Sequence, residues 1–310
     1  MPVYHLSSSP HIAGNFTTRK AMLCVIGALI PAAATGVVLF GLPAACTIAV
    51  SVVSCVVFEA LFQKLVHKPV TVRDCSAVVT GLMLACVLPP ALPVWMTVLG
   101  ALFAVVVAKG FFGGLGANVF NPALSGRAFL FVSFPAAMGS WITPFDGASG
   151  ATMLASQTIT AGSHSYADLL LGNRAGCIGE TSALFIIAAF IFLTAVRVID
   201  WRAPVTMIAT VAVLSLCAGH DPAAALMAGG VLFGAVFMTT DYATAPQTKI
   251  GRLLFGAGCG LITFLIRQFG GYPEGVMYSI LIMNILTPFL NKLVSRRYGV
   301  SHKKERIDVE

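Results

Sequence analysis

Runs of about 20 apolar residues, the length that crosses roughly 30 Å of hydrocarbon, recur in this chain from residue 21 almost to its C-terminus. Together they leave no stretch over for a large soluble domain. Composition agrees: 57% of the 310 residues are apolar and only 10% are charged, against roughly 25% charged in an average soluble domain. The class this dictates is an all-α polytopic membrane protein, because helices satisfy their own backbone polar groups in lipid.

Ten membrane segments are predicted, at residues 21–41, 43–63, 74–90, 92–110, 122–141, 181–199, 203–219, 222–240, 250–268 and 274–292. With the N-terminus inside, all of the 19 Lys and Arg residues except Arg127, Arg174 and Arg267 fall at the cytoplasmic side. A missed or extra helix would flip every later loop and destroy that asymmetry. The reading therefore divides the chain into a cytoplasmic arm (1–20), a transmembrane domain (21–292) with an internal repeat, and a basic cytoplasmic tail (293–310). The arm is polar and ends in Arg19 and Lys20, so it reads as retained and not as a cleaved signal peptide. The longest connection, 142–180, falls on the outer face, and connections of that length tend to be functional.

Eight cysteines are scattered through the apolar runs with no CxxC and no Cys/His ligand spacing, so no metal site, neither zinc nor an iron–sulfur cluster, is expected from this chain alone. The net charge of +7 reflects topology, and membrane lipid, not nucleic acid, is the expected surroundings.

Two inner loops carry the polar residues that ordinary helix punctuation does not use up. In KGFFGGLGANVFNPALSGR (109–127), Asn121-Pro122 is a helix start, with Asn as N-cap and Pro at the first helical position. Asn118 is left over, and Gly113, Gly114 and Gly116 either let the backbone approach a bulky group or simply relieve turns. In TTDYATAPQTKIGR (239–252), Asp241 is a carboxylate near the membrane face, where it needs a partner, water or a function; a salt bridge to Lys249 or Arg252 is the structural alternative. Each loop ends in a Gly-Arg pair opening the next helix, a pattern of internal duplication with a site between halves. Arg127 is expected to snorkel to the interface, and Glu59 and Asp74 to pair with neighbouring Lys64 and Arg73, with an ion path as the sharper alternative. His220-Asp221-Pro222 reads as a cap.

The outer loop contains FDGASGATMLAS (145–156), which offers nothing for a core or a membrane span and no base to activate its threonine. Its string Asp146-Gly147-Ala148-Ser149-Gly150-Ala151-Thr152 resembles the flavinylation site of the RnfD and NqrB family, membrane subunits of the Rnf and sodium-pumping NADH:quinone oxidoreductase complexes. The resemblance covers nearly the whole chain, including the G-G-L-G-x-N-x-F-N-P-A and T-T-D-Y-A-T-A-P strings. It implies that a flavin transferase joins the phosphate of FMN to the Thr152 hydroxyl within a motif formed by Asp146, Ser149, Gly150 and Ala151. A phosphoester needs an exposed hydroxyl and small neighbours but no internal base, and it leaves the ring's redox chemistry intact; Arg174 is a candidate counter-charge to the phosphodiester. The resemblance also implies a second, non-covalent flavin, riboflavin, toward the cytoplasm, with Asn118, Asn121 and Asp241 as its polar contacts.

NqrB proteins carry a longer polar N-terminal region than the 20-residue arm here, which favours the RnfD branch. The implied function is a subunit of a bacterial inner-membrane complex that passes electrons between ferredoxin and NAD, coupled to movement of sodium ions or protons. Its implied partners are the other Rnf membrane subunits and peripheral iron–sulfur subunits, and no residue of this chain acts as a nucleophile or acid/base catalyst. The alternatives are an NqrB-like subunit with a quinone acceptor, and a cofactor-free transporter or channel for a small solute.

Overall fold

A computed structural model describes residues 17–144, 149–150, 166–270 and 275–294, which form helices with a single two-stranded β pair. The helices are α1 (Thr18–Phe40), α2 (Leu42–Leu65), α3 (Ser76–Cys86), α4 (Val94–Leu102), α5 (Pro122–Ser133), α6 (Pro135–Met138), α7 (Tyr166–Leu171), α8 (Ala183–Ala195), α9 (Arg202–Cys217), α10 (Pro222–Met227), α11 (Val231–Phe233), α12 (Lys249–Phe269) and α13 (Val276–Val294). Three of them, α1, α2 and α12, are long and apolar enough to cross a membrane, and shorter apolar helices lie in five of the other predicted segments, with α5–α6 and α10–α11 in the remaining two. Large apolar side chains such as Val38, Val132, Leu216 and Phe289 stand exposed on the outside of the bundle, as a lipid-facing surface requires.

The helix starts follow local chemistry. Thr17 and Thr248 accept from the Lys20 and Gly251 amides, and Asn121 and Asp221 cap helices whose first residue is proline. These satisfy amide donors that a helix N-terminus leaves without partners. His220-Asp221-Pro222 is thus the cap that the sequence predicts.

Two segments are broken. The fifth is broken at Pro135, which opens α6. The eighth is broken between α10 and α11, where Gly229 has φ 68°, and the Arg267 guanidinium donates to the freed carbonyls of Ala225 and Ala228 at 2.8 and 2.9 Å. A guanidinium in that position replaces the helical donors that the break removes.

Both inner loops are preceded by π-helical turns, Phe103–Gly110 before one and Gly234–Met238 before the other. Such turns are rare and concentrate near functional sites. Packing elsewhere is close: α12 lies along α9 with Gly256 against Ala203 and Thr206, and Gly260 against Met207 and Thr210. This is the small-residue spacing that lets membrane helices approach.

Candidate functional site

The two inner loops meet. Between them lies a narrow cavity of about 80 Å³ whose walls come from α1 (Met22, Val25), α3 (Ser76, Val79, Thr80, Met83), the first loop (Leu115, Asn118, Asn121) and the second π turn with its loop (Phe237, Thr240, Asp241, Tyr242). Apolar walls with a few convergent polar groups suit a flat amphipathic ring.

Asn118, Asn121 and Asp241, far apart in sequence, all line this cavity. Asn118 donates to the Phe120 carbonyl at 3.0 Å. Asn121 uses its carbonyl oxygen as the α5 cap, accepting from the Leu124 amide at 3.2 Å, and its amide nitrogen donates to no described residue. Capping therefore fixes the side chain and leaves a donor for a ligand.

Asp241 accepts from the Thr244 hydroxyl at 3.1 Å and the Ala243 amide at 3.4 Å. Burial pushes its carboxyl above the usual range, against the opposing pull of the Ala243 amide, the Thr244 hydroxyl, Lys109 and Asn118. The sequence alternative of a salt bridge to Lys249 or Arg252 is corrected here. Arg252 pairs with Asp200 at 2.6 Å, beside Arg202 at the same distance, and Asp241 makes no ion pair among the described residues. Two wider clefts, of about 560 and 360 Å³, share Asp241 and Tyr242 with the central cavity, so the carboxylate stands where the cavity opens.

The three glycines of the first loop resolve toward the turn reading. Gly113, Gly114 and Gly116 have φ of 118°, 103° and 90°, a region that side chains rarely tolerate, and none of them lines the central cavity.

Three further expectations need correction. Arg127 does not snorkel: it is 4% exposed and its guanidinium pairs with Glu180 at 3.1 Å and donates to the Cys177 sulfur at 3.4 Å. Glu59 does not pair with Lys64 at the interface. It is buried and meets Lys109 at 2.8 Å, while Asp74 caps the Ser76 amide. In both ion pairs the partner is at least 50 residues away, and the signal was energetic: a charge inside an apolar run must find an opposite one.

Arg174 is not displayed to the outer loop's surroundings; it is 5% exposed and donates to the Glu180 carbonyl at 2.7 Å. Burial lowers its pKa to about 10, against the opposing effect of Glu180. The end of the outer connection is thus folded into the protein, with the Gly179 and Ile178 amides bonded to the Cys86 and Leu88 carbonyls.

Of the outer motif, Ser149 and Gly150 form strand β2, paired antiparallel with β1 (Trp141–Ile142) in the register Trp141 to Gly150 and Ile142 to Ser149. Asp146, Ala151 and Thr152 lie outside the described residues.

The sequence matches the NQR2, RnfD, RnfE family over residues 5–299. It is 45% identical to the D component of the sodium-translocating ferredoxin:NAD(+) oxidoreductase complex of Acetobacterium woodii, over 97% of this chain and 96% of the relative. It is 40% identical to the D component of the proton-translocating ferredoxin:NAD(+) oxidoreductase complex of Clostridium ljungdahlii, over 94% of each. The D component of the ion-translocating oxidoreductase complex of Stutzerimonas stutzeri is 37% identical over 90% of this chain and 92% of the relative.

Proposed function

The chain belongs to the NQR2, RnfD, RnfE family, and from that premise we propose that it is the multi-pass flavoprotein subunit of an Rnf-type ion-translocating oxidoreductase. Electrons pass between ferredoxin and NAD along a route that includes this subunit, coupled to movement of sodium ions or protons across the bacterial inner membrane. Its relatives are named as components of such complexes, two of them with ferredoxin and NAD(+) as the redox partners. The other Rnf membrane subunits and the peripheral iron–sulfur subunits are its partners, and a flavin transferase matures it.

The observation that carries the reading is the cavity that gathers Asn118, Asn121 and Asp241 from two separate loops. A flavin bound there supplies one- and two-electron chemistry that no side chain of this protein offers. The chain's own residues bind and orient. Asp241 accepts hydrogen bonds from ligand N–H or O–H groups, Asn121 donates its free amide hydrogens, and Met22, Val79, Met83 and Phe237 exclude water from the ring faces. On the opposite side of the membrane, the β1–β2 pair leads into Thr152, the attachment point for FMN through its phosphate. The outward position follows from the ten-segment topology with both termini inside.

The test is flavin fluorescence of the denatured chain in a gel, after co-expression with a flavin transferase. The wild type gives a fluorescent band and an intact mass heavier by one FMN less water, and Thr152→Ala gives neither. Riboflavin released on denaturation remains in both. A band that survives in Thr152→Ala places the attachment elsewhere. A wild type with no flavin of either kind removes the redox role and leaves a solute transporter as the reading.

A further inference from the structure

The central cavity has a second polar wall, opposite in character to Asp241. Lys109, 3% exposed, reaches it from the π turn Phe103–Gly110, and its ammonium spends all three hydrogens on protein acceptors. Two go to the carboxylate oxygens of Glu59, at 2.9 and 2.8 Å, and the third to the Ser76 hydroxyl oxygen at 2.7 Å. Ser76 thereby accepts a charge-assisted bond, while its own hydroxyl hydrogen has no acceptor among the described residues.

The placement is polarised. Ser76 and Lys109 line the central cavity, and Glu59 does not. Glu59 lies behind, against a separate cleft of about 270 Å³ that it shares with Gln63, Lys68, Asp74 and Lys109. Glu59 is held there additionally by the Gln63 amide at 3.3 Å. The positive end of the pair and a polarised O–H therefore face the cavity, and the negative end faces away.

Structural glue alone does not account for this arrangement. A buried ion pair stabilises no better than well-packed apolar side chains of similar volume, and glue would not need a hydroxyl relayed to the wall of a cavity. We propose that Ser76 and Lys109, backed by Glu59, stabilise the reduced, negatively charged state of the ring bound in this cavity and so set its reduction potential. This rests on the flavin reading above. When the ring gains one electron from a redox centre of a neighbouring protein in the complex and no proton moves, it carries a full negative charge. That charge is met by the Ser76 hydroxyl as a donor and by the ammonium behind it. In a low-dielectric site such preorganised donors act strongly. Asp241, which also lines the cavity, works in the opposite sense, so the potential reflects the balance of these groups.

The test is spectroelectrochemistry of the full chain carrying Thr152→Ala, in which the non-covalent flavin is the remaining chromophore. Ser76→Ala lowers its potential, with about tenfold less reduced ring at a fixed applied potential, about 59 mV for a one-electron step; Ser76→Thr, which keeps a hydroxyl, restores it. Glu59→Gln shifts the potential upward, because the ammonium loses its counter-charge. Lys109→Met combined with Glu59→Leu, which leaves no unpaired charge, shifts it downward. Opposite signs for removing the negative end alone and for removing the whole pair are not expected of a structural role. A bound flavin whose potential moves in none of these variants overturns this inference while leaving the site intact. A parent protein with no bound flavin overturns the reading beneath it.

Discussion

At the residue scale, Asp241 concentrates the site's chemistry. A carboxylate held at a membrane face with no cationic partner among the described residues is costly, and burial has already raised its proton affinity. Asp241→Ala is expected to weaken non-covalent flavin binding about 10- to 100-fold, the worth of hydrogen bonds to a charged group at about 1.5–3 kcal/mol, as read by flavin retained through gel filtration. The sign with pH follows from the direction of the shift. The ionised form accepts ligand hydrogen bonds, and a raised pKa means protonation sets in early as pH falls. Retention therefore declines on acidification, starting above the ordinary carboxylate range, and Asp241→Asn abolishes that dependence. For stability the sign is reversed. The folded state holds this proton more tightly than the unfolded state, so the apo protein loses some stability as pH rises from the unfolded pKa through the raised folded one. The Arg127–Glu180 pair differs in kind, since it is buried on both sides. Arg127→Met leaves an uncompensated buried carboxylate and is expected to cost about 3–5 kcal/mol in detergent unfolding, much of it recovered in Arg127→Met with Glu180→Leu.

At the scale of elements, the apolar runs were legible as helices because helix length in a bilayer is fixed by thickness, and each predicted segment overlaps a helix or a broken pair of helices. What the apolar pattern concealed were the breaks. The run 222–240 is as apolar at Gly229 as beside it, and only the structure shows Arg267 turned onto the α10 carbonyls. Nor could periodicity reveal the π turns, which keep the same composition while shifting the register of every later side chain. Arg267→Ala is expected to leave two carbonyls short of donors and lower stability by about 1–3 kcal/mol, with thermal unfolding in detergent as the measure. The α9–α12 contact makes a sharper demand. A Cβ on Gly260 would stand 2.8 Å from the Met207 carbonyl oxygen and 2.7 Å from the Thr210 Cβ. Gly260→Leu should separate the two helices at a cost of about 1–3 kcal/mol or more, whereas a leucine at the exposed neighbour Leu261 is already accommodated.

For the whole molecule, the strongest support for the topology comes from its exceptions. Three arginines escaped the cytoplasmic side in the sequence reading, and each is held by protein and not left to the membrane field: Arg127 by Glu180, Arg174 by the Glu180 carbonyl, and Arg267 by Ala225 and Ala228. A positive charge already bound in the fold carries little topological weight; that also discounts Lys109, Arg202 and Arg252, which pair with Glu59 and Asp200, so the expected bias rests on the other 13 of the 19 basic residues. The candidate inner site was legible as leftovers, Asn118 and Asp241, after capping and turn chemistry had been subtracted. Its second wall was not, because Glu59, Ser76 and Lys109 are joined only by tertiary packing. The topology makes a direct prediction. Single cysteines placed across 142–180 but away from the buried Arg174 and 177–180, in a chain whose native cysteines are replaced, should react with a membrane-impermeant maleimide added to intact cells. Cysteines placed at 110–119 or 243–248 should react only after the membrane is opened. Labelling of the 142–180 set from the cytoplasmic side alone would invert the count. If 243–248 still reacts only after the membrane is opened, the β1–β2 pair and Thr152 stand on the same side as Asp241, and a route that crosses the membrane between two flavins then has no basis.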